Sequence, residues 1–153
     1  IHPETGAVWV HEHGPRGGDE VNILAPGANF GWPVVSEGRE YASGMAIGVD
    51  APPAGMVAPR HVWDPSIAPS GMVFYQGEAF PEWQGDLLVG ALAQQLLARL
   101  ELDGDDVVHE ERLLEGALGR IRDVDVDADG LVYLLIDAAD GGIVRLRPVD
   151  TAS

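Results

Sequence analysis

The chain has 153 residues, of which 46% are hydrophobic and 22% are charged, so it suits a single domain or part of a larger one. Acidic residues outnumber basic ones by 25 to 9 for a formal net charge of −16, which disfavours nucleic acid as a partner. Because cysteine is absent, disulfides and thiolate chemistry are excluded. No apolar run approaches the ~18 residues of a membrane-spanning helix, so no membrane span is expected.

Short β-type runs separated by glycine dominate the chain, and no amphipathic helix of about ten residues or more is predicted. A long segment over residues 26–59 is rich in Gly, Pro and Ala and predicts an irregular loop. Loops of this length in a compact domain are usually functional or mobile. Nine strands are predicted, over Ala7–Glu12, Glu20–Leu24, Gly71–Tyr75, Asp86–Leu92, Leu96–Leu102, Val107–Leu114, Ile121–Val126, Leu131–Asp137 and Ile143–Arg147.

The predicted strands repeat with a period typical of β-propeller blades. Three predicted strands start at Gly71, Asp86 and Leu96, and three more start 45 to 50 residues later, at Ile121, Leu131 and Ile143. Propeller blades of four short strands recur every ~40–50 residues. The predicted fold is therefore all-β. It comprises a partial blade over residues 1–25, the long loop over 26–59, and blades over 60–104 and 105–150. Propellers close with ~4–8 blades, so about two and a half blades are expected to belong to a longer protein or to need a partner.

The densest polar segment runs from His11 to Glu20. His11 and His13 would share one face of a strand, which suits a transition metal. The backbone carbonyl groups of the Gly14–Pro15 turn would instead suit Ca²⁺, a hard cation that takes ~6–8 oxygen ligands. A solvated polar turn at the edge of a blade is the third interpretation, and spacing alone leaves all three open.

Arg120 and Arg122 alternate with Ile121, so a strand would place both guanidinium groups on one face, about 7 Å apart. Such a pair matches a ligand with several carboxylate or phosphate groups. Pairing with nearby acids such as Asp123 or Asp137 is the alternative, and the residues by themselves favour it.

The segment Asp125–Gly130 follows the pattern D-x-D-x-D-G, which is typical of the start of a calcium-binding loop. The twelfth position of that loop requires a glutamate, and this chain has Ile136 there. Because Asp129 and Gly130 lie between two predicted strands, we predict a hairpin turn instead.

Several motifs together resemble a known family. The runs WVHEHGPRGGDE over residues 9–20 and GANFGWP over residues 27–33 are followed in order by PSGM at 69–72, GAL at 90–92 and RIRDV at 120–124. This order resembles the soluble quinoprotein glucose/sorbosone dehydrogenases, and more closely their bacterial aldose sugar dehydrogenase branch. The motifs extend over nearly the whole chain, which resembles the C-terminal part of the family.

The resemblance implies a six-bladed β-propeller that binds pyrroloquinoline quinone (PQQ) and Ca²⁺. It implies that Gly14 and Pro15 give their carbonyl oxygens to the Ca²⁺ that also holds PQQ. It further implies that Arg120 and Arg122 bind PQQ, which is a tricarboxylate.

The resemblance also assigns residues around these groups. His13 and Asp19 correspond to positions that line the cofactor and substrate cleft, and Asp137 to a further acid of the site. Glu20 and the carbonyl group of Phe30 correspond to a second, structural calcium site.

The implied reaction is oxidation of the anomeric carbon of an aldose sugar by hydride transfer to PQQ, with Ca²⁺ polarising the quinone. An artificial or quinone acceptor would take up the electrons, and the protein would work in the periplasm or be secreted. The catalytic histidine base is expected in an N-terminal half of the propeller that this chain lacks, so no catalytic residue is expected here. The alternatives are a calcium-dependent propeller hydrolase similar to lactonases, and a non-catalytic sugar-binding propeller.

Overall fold

The computed structural model describes residues 1–49 and 53–149, and within them regular structure is almost entirely β. The helical structure of the described residues is one 3₁₀ turn at Pro81–Trp83. The predicted all-β class is therefore confirmed. The strands are β1 (Trp9–Glu12), β2 (Asp19–Ile23), β3 (His61–Trp63), β4 (Pro69–Phe74), β5 (Leu87–Ala91), β6 (Leu97–Asp103), β7 (Asp106–Leu113), β8 (Ile121–Val126), β9 (Val132–Ile136) and β10 (Ile143–Leu146).

All nine predicted strands are present, with ends that differ by two residues at most. The strand that the sequence did not predict is β3, which has three residues. No helix in residues 1–49 or 53–149 is long and apolar enough to cross a membrane. The chain divides into two compact units, residues 1–69 and the residues from 70 onwards.

The first unit contains one antiparallel sheet in the order β1-β2-β3. Its register places Glu12 opposite Glu20, and Asp19 opposite Trp63. Trp63 is buried together with Val21, so this side of the sheet forms the core of the unit. Between β2 and β3, the described residues make isolated bridges only.

The second unit contains two sheets, β4-β5-β6-β7 and β10-β9-β8. Each strand pairs with its neighbour along the chain, as in successive propeller blades. Both sheets contribute to one buried apolar cluster, which includes Leu88 and Leu97 from the first sheet and Ile121 and Leu134 from the second. Gly90 allows this close packing, because a Cβ atom there would lie 2.9 Å from Cγ2 of Ile121 and 2.7 Å from Oγ of Ser70.

The observed sheets divide the chain differently from the predicted blades. Strand β3 lies within the blade predicted over 60–104, yet it pairs with β2 and completes the first sheet. Strand β7 lies within the blade predicted over 105–150, yet it pairs with β6. The reason is the two-residue turn Gly104–Asp105, which closes a β6–β7 hairpin. Residues 50–52 of the predicted loop and residue 150 of the last predicted blade lie outside the described residues.

Candidate functional site

The loop between β1 and β2 carries the predicted calcium-binding carbonyl groups, and it turns tightly. Arg16, Gly17 and Gly18 all have positive φ angles, of 60°, 155° and 70°. A Cβ atom on Gly14 would collide with the carbonyl oxygens of Gly17 and Gly18. Backbone oxygens therefore crowd around Gly14, and hard cations such as Ca²⁺ prefer donor groups of this kind.

The two predicted carbonyl ligands differ in their hydrogen bonds. The carbonyl oxygen of Pro15 accepts the backbone N–H of Arg39 at 2.7 Å, so one of its two lone pairs is occupied. No hydrogen bond to the carbonyl oxygen of Gly14 is found within the described part of the chain. Both oxygens therefore keep lone pairs that a cation could use.

Asp19 anchors this loop. Its side chain is fully buried, and Oδ1 accepts the backbone N–H of Gly14 at 2.8 Å. Oδ2 accepts the hydroxyl group of Ser66 at 2.7 Å and the backbone N–H of Ala68 at 2.9 Å. Each carboxylate oxygen of Asp19 therefore accepts at least one hydrogen bond from the protein, and its assignment to the cofactor cleft stays a prediction.

His13 is exposed, and its ring is held by the backbone. Nε2 lies 2.7 Å from the carbonyl oxygen of Pro69. A carbonyl oxygen only accepts hydrogen bonds, so Nε2 carries the proton in this arrangement. Nδ1 of a neutral ring is then left as an acceptor.

A cavity of about 340 Å³ in the first unit brings together five residues that the sequence predicted for the site. These five are His13, Gly14, Pro15, Glu20 and Phe30. Asp19 does not line this cavity. The other lining residues are Glu12, Gly18, Trp32, Val35, Ser36 and Tyr41.

Two carboxylate groups meet beside this cavity. Glu20 is buried, and it lies directly opposite Glu12 across the β1–β2 pair. The side-chain amide nitrogen of Asn22 donates to Oε1 of Glu12 and to Oε2 of Glu20, both at 3.0 Å. Burial raises the pKa of Glu20 above its ordinary value, the Asn22 hydrogen bond opposes this, and the charges of Glu12 and Glu37 raise it further. The sequence assigned Glu20 to a calcium site and placed Glu12 among the carboxylates of the polar segment His11–Glu20 that could bind metal. It did not single out Asn22, because the strand register that joins the three residues was not assigned.

The second unit holds a cluster of Arg120, Arg122 and Asp137. Oδ2 of Asp137 accepts from Arg120 at 3.1 Å (Nε) and 3.0 Å (Nη2), and from Nη2 of Arg122 at 2.7 Å. These hydrogen bonds hold the pKa of the Asp137 carboxyl group below its ordinary value. The two arginine side chains stay 47% and 49% exposed. The pairing with Asp137 that the sequence offered as an alternative is therefore present, and two guanidinium charges against one carboxylate leave one net positive charge.

The segment Asp125–Gly130 forms the predicted hairpin turn between β8 and β9. Oδ1 of Asp127 accepts the backbone N–H groups of Asp129 and Leu131, both at 2.9 Å. The hydrogen bond from Leu131 is the main reason that the pKa of Asp127 is lowered. Within the described ranges, no group of three or more His, Cys, Asp or Glu side chains could hold a metal ion.

Comparison with known proteins identifies the family of this chain. The profile of the Glucose / Sorbosone dehydrogenase family matches residues 1–145. The chain belongs to this family. Aldose sugar dehydrogenase YliI of Escherichia coli (strain K12) is 40% identical over 150 residues, which cover 97% of this chain and 40% of that protein.

Solved structures of the family are similar as well. A crystal structure of a glucose dehydrogenase is 47% identical with a TM-score of 0.89, over 96% of this chain and 43% of that one. The PQQ-bound form of aldose sugar dehydrogenase from Streptomyces coelicolor is 25% identical with a TM-score of 0.68, over 94% of this chain and 40% of that one. The chain therefore spans about two fifths of the length of these relatives. The family resemblance and the partial β-propeller fold are confirmed, while the roles of individual residues stay predictions.

Proposed function

We propose that this chain is part of a quinoprotein dehydrogenase that oxidises the anomeric carbon of aldose sugars, with PQQ as hydride acceptor and Ca²⁺ as its companion ion. Family membership and the aldose sugar dehydrogenase relative support a sugar dehydrogenase. The PQQ-bound state of the Streptomyces coelicolor relative supports the cofactor. Because the chain spans about two fifths of its relatives, the complete reaction is proposed for the full gene product. Action in the periplasm or after secretion is part of the same proposal.

The observation that carries this proposal is the cluster of Arg120, Arg122 and Asp137. In a chain with a formal charge of −16, a half-exposed cluster with a net positive charge is suited to an anionic ligand. Each guanidinium group has five N–H donors, and Asp137 takes two from Arg120 and one from Arg122. The remaining donors match the carboxylate groups of PQQ, because guanidinium groups bind carboxylates in a fixed fork geometry.

The donor groups of the first unit fit calcium. The carbonyl-bearing residues Gly14, Pro15 and Phe30 and the carboxylate of Glu20 line one cavity, and all of them offer oxygen, the ligand atom that Ca²⁺ requires. Gly14 and Pro15 would hold the ion that accompanies the cofactor. Glu20 and the carbonyl oxygen of Phe30 would hold a second, structural ion.

When bound, PQQ would accept the hydride and Ca²⁺ would act on the quinone as a Lewis acid. The role of this chain's residues is to bind and orient the cofactor and the ion. Arg120 and Arg122 bind the cofactor carboxylates, and Asp137 keeps the two guanidinium groups aligned. Asp19 fixes the position of the Gly14 backbone, and the base that takes the anomeric hydroxyl proton is expected from residues outside this chain.

The test is PQQ affinity in the calcium-loaded full gene product, measured by absorbance titration. The double variant R120Q/R122Q is expected to bind PQQ about 100-fold more weakly, since each hydrogen bond to a charged group contributes about 1.5 kcal/mol or more. The control is Arg147→Gln, which makes the same Arg-to-Gln change once, at an exposed residue just after β10. This control is expected to keep the PQQ affinity of the wild type.

A second measurement follows dye reduction by the loaded enzyme with an aldose. No aldose-dependent reduction by the wild type would contradict the dehydrogenase function. An unchanged PQQ affinity in the double arginine variant would contradict the arginine assignment alone. Calcium binding without PQQ binding would favour the calcium-dependent hydrolase instead.

A further inference from the structure

The carboxylate pair of Glu12 and Glu20 is held by a single amide group. Both N–H donors of the Asn22 side chain are used, one on each carboxylate, at 3.0 Å. The bonded atoms are Oε1 of Glu12 and Oε2 of Glu20. This arrangement holds two like charges face to face across neighbouring strands, where they repel each other.

The second oxygen of each carboxylate is open. Within residues 1–49 and 53–149, no hydrogen bond or ion pair engages Oε2 of Glu12 or Oε1 of Glu20. Both residues line the 340 Å³ cavity, together with Phe30. The cavity that both residues line is large enough for an ion and its water ligands.

The Asn22 side chain itself is in an unfavourable position. It is 1% exposed, and its Oδ1 atom is buried without a hydrogen-bond partner among the described residues. A buried unsatisfied oxygen costs about 1–3 kcal/mol, and such groups in native structures call for a reason. The two N–H groups that the amide directs at the carboxylates provide that reason, because no other described side chain bridges Glu12 and Glu20.

We propose that Glu12 is a ligand of the cation at Glu20, and that Asn22 is the positioning residue that aligns the two carboxylates for a Ca²⁺-type ion. This inference rests on the second calcium site of the proposed function, and it adds one ligand and one supporting residue to it. With Asn22 bonded to Oε1 of Glu12 and Oε2 of Glu20, the other oxygen of each carboxylate binds the ion, whose positive charge offsets the repulsion between the two carboxylates. A hard divalent cation fits two carboxylates better than a transition metal does, since the donor atoms of Glu12, Glu20 and the Phe30 carbonyl group are all oxygen.

The first experiment compares two matched variants of the full gene product. After removal of metal, Ca²⁺ is titrated by isothermal calorimetry into the wild type, Glu12→Gln and Glu37→Gln. Both substitutions remove one negative charge close to Glu20, but no hydrogen bond joins Glu37 to Asn22 in the described structure. We expect Glu12→Gln to weaken the second calcium site at least about tenfold, because ligand charge sets calcium affinity. Glu37→Gln is expected to change it only a few-fold.

The second experiment tests the positioning role of Asn22. Asn22→Leu is expected to weaken the same calcium site about 10–100-fold, the usual effect of losing a residue that orients metal ligands. Asn22→Asp adds a third negative charge, so the metal-free protein is expected to melt at a lower temperature and saturating Ca²⁺ to restore its melting temperature to that of the wild type. A purely structural asparagine would leave the loss in Asn22→Asp unrestored, and that result would overturn the role of Asn22.

The outcomes separate this inference from the proposed function. A wild-type protein that binds no calcium beyond the Gly14–Pro15 ion contradicts the second site itself. A wild type with two calcium sites, in which Glu12→Gln and Glu37→Gln behave alike, retains the proposed function and removes Glu12 from the ligand set.

Discussion

Replacement of Asp19 by alanine tests whether this residue anchors the Gly14 loop. The substitution removes a fully buried carboxylate and the three hydrogen bonds that it accepts from Gly14, Ser66 and Ala68, at 2.7 to 2.9 Å. Each of these hydrogen bonds is made to a charged group and contributes about 1.5 kcal/mol or more. The free energy of unfolding should therefore fall by about 4–5 kcal/mol.

The assay is denaturant unfolding of the full gene product, combined with calcium titration. Because Gly14 loses its anchor, the affinity of the calcium ion at Gly14 and Pro15 should fall as well. Asp19→Asn keeps the shape of the side chain and one accepting oxygen, so a smaller loss of stability is expected. The control is Asp105→Asn, an exposed residue of the β6–β7 turn, which should stay within about 0.5 kcal/mol of the wild type.

The opposite pattern would refute this reasoning. If Asp19→Ala unfolds like the wild type but loses PQQ affinity, then Asp19 acts on the cofactor, as the family resemblance implied, and the buried hydrogen bonds do not hold the loop.

Three further predictions concern the second unit. Arg99→Met should lower the unfolding free energy by about 3 kcal/mol, as measured by equilibrium denaturation. The reason is that Asp86 loses its partner: its side chain is 7% exposed and lies 2.6 Å from the guanidinium group. Gly90→Ala should cost about 1–3 kcal/mol through overpacking, whereas Gly142→Ala, with open space around it, should not. The stabilising effect of Asp137, whose pKa is lowered, should be present above its unfolded-state pKa and lost as pH falls through the folded value. In R120Q/R122Q its pKa, followed by carboxyl NMR, should return toward the ordinary value.

The strands themselves were predictable because their signals are local. Alternation and glycine punctuation located nine of them to within two residues, and the order of the motifs indicated the family that the comparisons confirm. Which strand pairs with which was harder to predict from the sequence. His61–Trp63 is too short to carry a periodic signal, and it joins β2 across about 40 residues of chain through contacts that no local pattern describes. The hairpin of β6 and β7 had a local signal in Gly104–Asp105, but the repeat period placed a blade boundary between these two residues.

For the site, the sequence alone determined which chemical groups are available: a turn with free carbonyl groups, an arginine pair and neighbouring acids. Only the tertiary structure decided how these groups are used. In the structure, Asp19 is buried as an anchor, and Asp137 accepts hydrogen bonds from both Arg120 and Arg122. Glu12 lies opposite Glu20, and one amide group donates to both carboxylates. The physical reason is that residue type and spacing specify which hydrogen bonds a side chain is able to form. Burial and strand register specify which of those bonds it does form, and both depend on residues that are distant in the chain.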